Sequence, residues 1–408
     1  MIKKISKFQL LKSFSIALDI AERRYISHSK HVAYLSYKIG EVLGLPKSQL
    51  YSLFSASILH DIGVSELNLD EIEPGEKLKA HCVKGAKIVE KLPFDSKLSE
   101  IILYHHEHYD GTGIFKIGNE EIPLLSRIIY IADQFDIRFS SKCSDYYKTR
   151  IDTLEWIEEN KNTKFDPKIC EAMSKVIDKE SFWLDYIWSD FNNILERNIK
   201  DELVYLTIEQ ITIFAEVFAS IIDNRSPFTY RHSRGLASKV KYVIKSYGYK
   251  PEYQEAIYIA GLLHDVGKLA VPNRILDKEG PLTLEERAII NTHSYYTHMI
   301  LSQLPEFEYI VKWASNHHEK IDGTGYPNRK TGKELSFFEK IMGICDVYQA
   351  LVEERPYRTS MTHDEAFNII KKLANEGKFD IELVEDLHLI LKTYSEIMNE
   401  DDEKCTNV

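Results

Sequence analysis

One set of histidines and aspartates occurs twice along this chain, and the repeat limits what it can fold into. His28 and His60 stand 32 residues apart, and so do His232 and His264. His81 and His105 are 24 apart, as are His293 and His317. His106 precedes Asp133 by 27 residues, and His318 precedes Asp346 by 28. A His-Asp pair sits in each set, at His60-Asp61 and His264-Asp265, and the stretch from its histidine to the next in the set changes most, 21 residues against 29. A period this long marks a duplicated domain rather than a short-repeat solenoid.

Apolar residues recur at helical spacing through nearly the whole chain, with short Gly and Pro breaks, which predicts an all-α fold of tandem helical bundles. His28 opens one such helix, with Val32, Leu35, Ile39, Val42 and Leu43 as its apolar stripe. In the second copy the run Ala256 to Leu263 leads into His264-Asp265. Neighbouring side chains on a helix do not face each other, so the pair is not expected to form an ion pair. Instead both are expected to point into one pocket and bind a divalent metal. Gly267 is expected to end the helix and turn the backbone, bringing Lys268 over that pocket. His293 lies on a helix predicted to open with the capping box Thr283-x-x-Glu286 and to stop before Pro305.

These signals divide the chain into a first domain (1–180), a helical linker (181–204) and a second domain (205–408). The linker region holds Phe182, Trp183, Leu184, Tyr186, Ile187, Trp188 and Phe191. That aromatic content is expected to dock it as a helix on the domains, since a flexible linker would be Gly/Ser-rich or highly charged. The acidic end, Glu400 to Glu403, reads as a frayed tail.

His232, His264, His293, His317 and His318 with Asp265 and Asp346 are the donor set for two metals sharing one carboxylate, the arrangement of a two-metal phosphodiester hydrolase. A metal-activated water, rather than a side chain, is then the expected nucleophile. His31, His108, His298, His363 and His388 match nothing in the other copy and read as surface or core residues. Glu319 and Asp322 either orient ligand imidazoles or cap the following turn.

Composition narrows the partners. A net charge of −11, with no basic stripe to offset it, argues against a duplex nucleic-acid surface. A phosphorylated small molecule is compatible with a local Lys/Arg cluster. No window approaches 18 uninterrupted apolar residues, so no membrane span is expected. The five cysteines are scattered and lack any C-x-x-C spacing. With no secretory leader evident, they predict free thiols in a reducing cytoplasm. Oligomeric state is left open.

The second half resembles the HD-GYP subgroup of the HD-domain phosphohydrolases. The resemblance rests on Pro227-Phe-Thr-x-x-His-Ser, His264-Asp-Val-Gly-Lys, His293, His317-His-Glu, Asp322-Gly-Thr-Gly-Tyr-Pro and Arg355-Pro-Tyr-Arg358, in that order. It implies an all-helical domain with an iron or manganese site, and phosphodiesterase activity on a bacterial cyclic dinucleotide, chiefly cyclic di-GMP. The alternatives are cyclic GMP-AMP, another nucleotide phosphoester, or a non-catalytic binding module that signals to a partner.

By the same resemblance, His232, His264, Asp265, His293, His317, His318 and Asp346 fall on metal-ligand positions, with Asp265 bridging. Lys268 falls on the lysine that contacts the scissile phosphate, and with Asp265 it forms the expected catalytic pair. Tyr326, Arg355 and Arg358 fall on positions that hold the bases or the second phosphate. Phe228 stands where three-metal members place a glutamate, which favours two ions. Gln349 departs from the pattern, because the family usually has a second aspartate there.

The first half resembles the wider HD superfamily and keeps all seven ligand types: His28, His60, Asp61, His81, His105, His106 and Asp133. Val64 stands at the lysine position, Gly113-Ile114-Phe115 replaces Gly-Tyr-Pro, and Lys142-Cys143-Ser144-Asp145 replaces the arginine stretch. This half is therefore expected to regulate rather than hydrolyse, with a metal cage that persists without its phosphate-handling groups.

Overall fold

The computed structural model describes residues 5–21, 28–63, 74–92, 94–188, 205–223, 232–278, 280–353 and 359–406. Val64, Phe191, Phe228, Arg355 and Arg358, all singled out above, lie outside these residues. The fold is all-α, and the chain divides into two compact units, Ser6–Leu206 and Thr207–Val408 with Met1–Ile5. Two two-residue strands, Ile5–Ser6 and Tyr205–Leu206, pair with each other.

In the first unit the core is built where helix His28–Val42 packs on Lys47–Leu59 and on Leu124–Phe139. Val32, Ala33, Leu35 and Ile39 form its buried stripe. Helices Pro74–Val89 and Lys97–Leu103 close one side of this frame, and Pro167–Ile177 packs on its first helix. The described part of the expected linker, helix Glu180–Trp188, belongs to this unit. Phe182, Trp183 and Tyr186 are buried there, and Trp183 Nε1 donates to the Ile177 carbonyl at 2.8 Å.

The second unit repeats the frame with helices His232–Ser246, Pro251–Leu263 and Phe337–Val352. Leu236, Ala237, Val240, Val243 and Ile244 take the buried places of the first-unit stripe. The capping box forms as expected: Thr283 and Glu286 exchange hydrogen bonds with each other's backbone N–H. The helix it opens stops at Asn291, and a separate helix, His293–Leu301, starts two residues later. His293 is thus set at a helix start, with its side chain buried.

No described helix is long and apolar enough to cross a membrane. Cys82, Cys143, Cys170 and Cys345 are buried free thiols.

Candidate metal centre

In both units the helix preceding the His-Asp pair stops one residue short of it, at Leu59 and at Leu263. Gly267 therefore does not end the helix: the turn begins at His264, and Gly267 lies inside the 3-10 helix Val266–Ala270. Its role is close approach, because a Cβ there would collide with the His293 carbonyl and with Thr297 N. Gly63 is confined in the same way by the His81 carbonyl and Gly85 N. The two side chains of each pair do face one pocket, and they also approach each other closely, which the expectation of no ion pair did not foresee. His264 Nε2 lies 3.1 Å from Asp265 Oδ2, and His60 Nε2 lies 3.2 Å from Asp61 Oδ2.

The second unit assembles the predicted ligands as two triads around one carboxylate. His232, His264 and Asp346 offer donor atoms within 4.8 Å of one another, and so do His293, His317 and His318. Asp265 faces both groups, with Oδ2 toward His264 and Oδ1 3.4 Å from His293 Nε2. Lys268 Nζ reaches back to Asp265 Oδ2 at 2.6 Å. In the first unit Asp61 does the same, with Oδ2 toward His60 and Oδ1 3.3 Å from His81 Nε2. His28, His60 and Asp133 form one group there, and Asp61, His81, His105 and His106 the other.

Hydrogen bonding sets which ring nitrogen is available. Nδ1 of His264, His293 and His317 donates to the carbonyl three residues earlier, at 2.8, 2.7 and 2.6 Å. His60 and His105 do likewise at 2.7 and 2.6 Å. The proton is thereby fixed on Nδ1, and the Nε2 lone pair points inward, as a metal ligand requires. Burial holds His293 down at about 4 and His317 at about 3, so both rings are neutral near pH 7. Asp265 and Asp346 stay well below the usual carboxylate range, because neighbouring histidines outweigh the opposing effect of burial.

His264 Nε2 and Asp265 Oδ1 are buried without hydrogen-bond partners, as are His28 Nε2 and His60 Nε2 in the first unit. Orphaned buried acceptors of this kind are costly unless something fills the space between them. These residues form clusters that could hold metal ions in each unit.

The loop after His318 is fixed from below. Glu319 accepts the backbone N–H groups of Asn328 and Lys330 at 2.7 and 2.9 Å, and Asp322 accepts Thr324 N at 2.9 Å. Of the two roles open to them, both residues therefore take the loop-capping one. The Tyr326 ring packs on His318 with centroids 4.8 Å apart.

Sequence reasoning missed a layer of carboxylates outside the ligands. His28 Nδ1 donates to Asp136 Oδ2 at 2.6 Å, and Asp136 also bonds His31 at 2.8 Å and the Tyr186 hydroxyl. His31, read as surface or core, thus belongs to the support of the first cage. Its signal was available, since Asp136 stands three residues after Asp133, where the resemblance calls for a second aspartate. In the second unit His232 Nδ1 donates to Glu353 Oε2 at 3.0 Å, a contact without a motif to announce it. Of the other unmatched histidines, His298 is exposed, and His363 and His388 stack on each other at 5.0 Å.

Comparison with known proteins agrees with this geometry. Residues 13–169 and 216–383 each match the HD domain family. The chain belongs to that family. It is a tandem of two HD domains, and the second carries the HD-GYP motif set. Across 89% of its length it is 29% identical to 3'3'-cGAMP-specific phosphodiesterase 1 of Vibrio cholerae, 87% of which is covered. A solved cyclic GMP-AMP-specific phosphodiesterase from the same organism superposes with a TM-score of 0.71 at 25% identity, covering 96% of this chain and 98% of that one. A cyclic di-GMP phosphodiesterase of Pseudomonas aeruginosa is 34% identical, over 38% of this chain and 37% of the relative.

Proposed function

We propose that the second HD domain hydrolyses a 3'3'-linked cyclic dinucleotide, cyclic GMP-AMP, using two divalent transition-metal ions, iron or manganese. The observation that carries this reading is Asp265, whose two oxygens face separate ligand groups while its Oδ2 also receives Lys268. Bound ions at such a site supply an activated water and neutralise charge on the phosphate oxygens. His232, His264, His293, His317 and His318 would hold the ions through ring nitrogens, and Asp265 and Asp346 would contribute the negative charge. Lys268 offers its ammonium to the charge that develops on the phosphoryl oxygens. Tyr326, seated against His318, walls the site, and Arg355 and Arg358 grip the distal phosphate or a base.

Cyclic GMP-AMP is preferred to the expected cyclic di-GMP because the relatives matched over almost the whole chain are the cyclic GMP-AMP enzymes. Cyclic di-GMP is the second reading, favoured by the part-length relative. The first domain, on this proposal, holds metal without hydrolysing. Incubating the manganese- or iron-loaded protein with each dinucleotide and resolving the products by chromatography tests the assignment. The expected result is faster conversion of cyclic GMP-AMP to its linear form. Equal turnover of both would remove the specificity claim, and turnover of neither would remove the activity.

A further inference from the structure

We infer that Glu353 is the positioning residue for the metal ligand His232, taking the part that Asp136 plays for His28 in the first domain. The inference rests on the metal-dependent reading above and adds a residue to it.

Each cage contains one histidine that starts a helix, His28 or His232, and turns its Nδ1 outward to a carboxylate. In the first domain the carboxylate is Asp136, one turn beyond the ligand Asp133 on the same helix. The matching residue in the second domain is Gln349, and it does not reach His232 in the same way. Its Oε1 accepts Lys239 Nζ at 2.6 Å. Its amide also fills the room beside Gly235, where a Cβ would come within 2.5–2.8 Å of it. The first domain has Leu35 and His31 at the places of Lys239 and Gly235.

Three positions therefore differ between the two domains, and Gln349 is engaged by Lys239 where its counterpart Asp136 serves the imidazole. An aspartate there would meet the Lys239 ammonium rather than the ring. Glu353 supplies the missing charge from just past the helix end, with Oε2 3.0 Å from His232 Nδ1 and its side chain 10% exposed. A carboxylate in that position keeps the proton on Nδ1, fixes the ring and strengthens Nε2 as a donor. Glu353 also stands two residues before Arg355. One short stretch thus carries both a metal-orienting group and a proposed substrate contact.

The test uses the full-length, metal-free protein titrated with Mn2+, with the free-ion EPR signal reporting binding. Glu353→Gln keeps the size of the side chain and removes its charge. It should weaken the manganese sites on which hydrolysis depends by about 10–100-fold, while the metal-free variant unfolds at the wild-type temperature. The manganese concentration for half-maximal hydrolysis should rise by the same factor. Adding Gln349→Asp and Lys239→Leu, which places the first-domain residues at two of the three positions and frees the carboxylate from the lysine, should restore the affinity. Wild-type affinity in Glu353→Gln overturns the inference, as does a triple variant that folds but regains nothing. If the wild-type protein takes up no manganese, the metal-dependent reading itself fails, a result distinct from either of these.

Discussion

The two HD domains present the same ligand cage with different surroundings. Around Asp61 and around Asp265 the imidazoles converge at nearly the same distances, because the same helix ends and the same crowded glycines, Gly63 and Gly267, set the turn. What differs is attached to that frame. The second domain has Lys268 on the shared carboxylate, Tyr326 against His318, and Thr297, whose hydroxyl donates to the His264 carbonyl and accepts from Gly267 N. The first domain has Gly85 and Ile114 at the places of Thr297 and Tyr326. On the proposed function, a metal cage and a catalytic site would be separable features of one fold, the helical frame building the first and a few appended groups the second.

The most damaging single change should be Asp265→Asn, which leaves two ligand groups with no shared carboxylate. Turnover should fall by at least about 10²–10³-fold, the scale of losing one preorganised electrostatic contact, and elemental analysis should show metal lost. Asp61→Asn should lower metal content alone, and an equal loss of hydrolysis would erase the proposed difference between the domains. Lys268→Ala should cost about 10²–10³-fold in kcat, roughly 2.7–4 kcal/mol, with metal content unchanged. Full activity in that variant would mean the lysine plays no part in the transition state. Arg355→Ala should raise KM about tenfold with little change in kcat, since a remote phosphate contact acts on ground and transition states alike. Gly63→Ala and Gly267→Ala sharpen the other side of the comparison. Each should destabilise its own domain by about 1–3 kcal/mol through overpacking, measured by denaturant unfolding. A large inequality between them would show that the two frames are not equivalent.

Much of this was legible in the sequence for a physical reason. Metal ligation demands fixed residue types at fixed places on a rigid frame, so His28 to Asp133 and His232 to Asp346 keep their spacing even as the surrounding residues change. Helix periodicity and the Thr283 capping box were equally readable, being local properties. Contacts that depend on where the backbone leaves a helix were not. The approach of His264 to Asp265 follows from a helix ending at Leu263, four residues before the glycine expected to end it. Asp136 could have been found by aligning the first domain on the expected second aspartate. Glu353 could not, because its partner His232 is 121 residues away and no local pattern links the two.

The central claim, that both domains can hold metal while only the second hydrolyses, is tested most directly by a pair of double variants assayed with cyclic GMP-AMP. His60→Ala with Asp61→Ala should retain hydrolysis, while His264→Ala with Asp265→Ala should abolish it. Substantial turnover in the second variant, lost only when the first cage is also removed, would contradict the account.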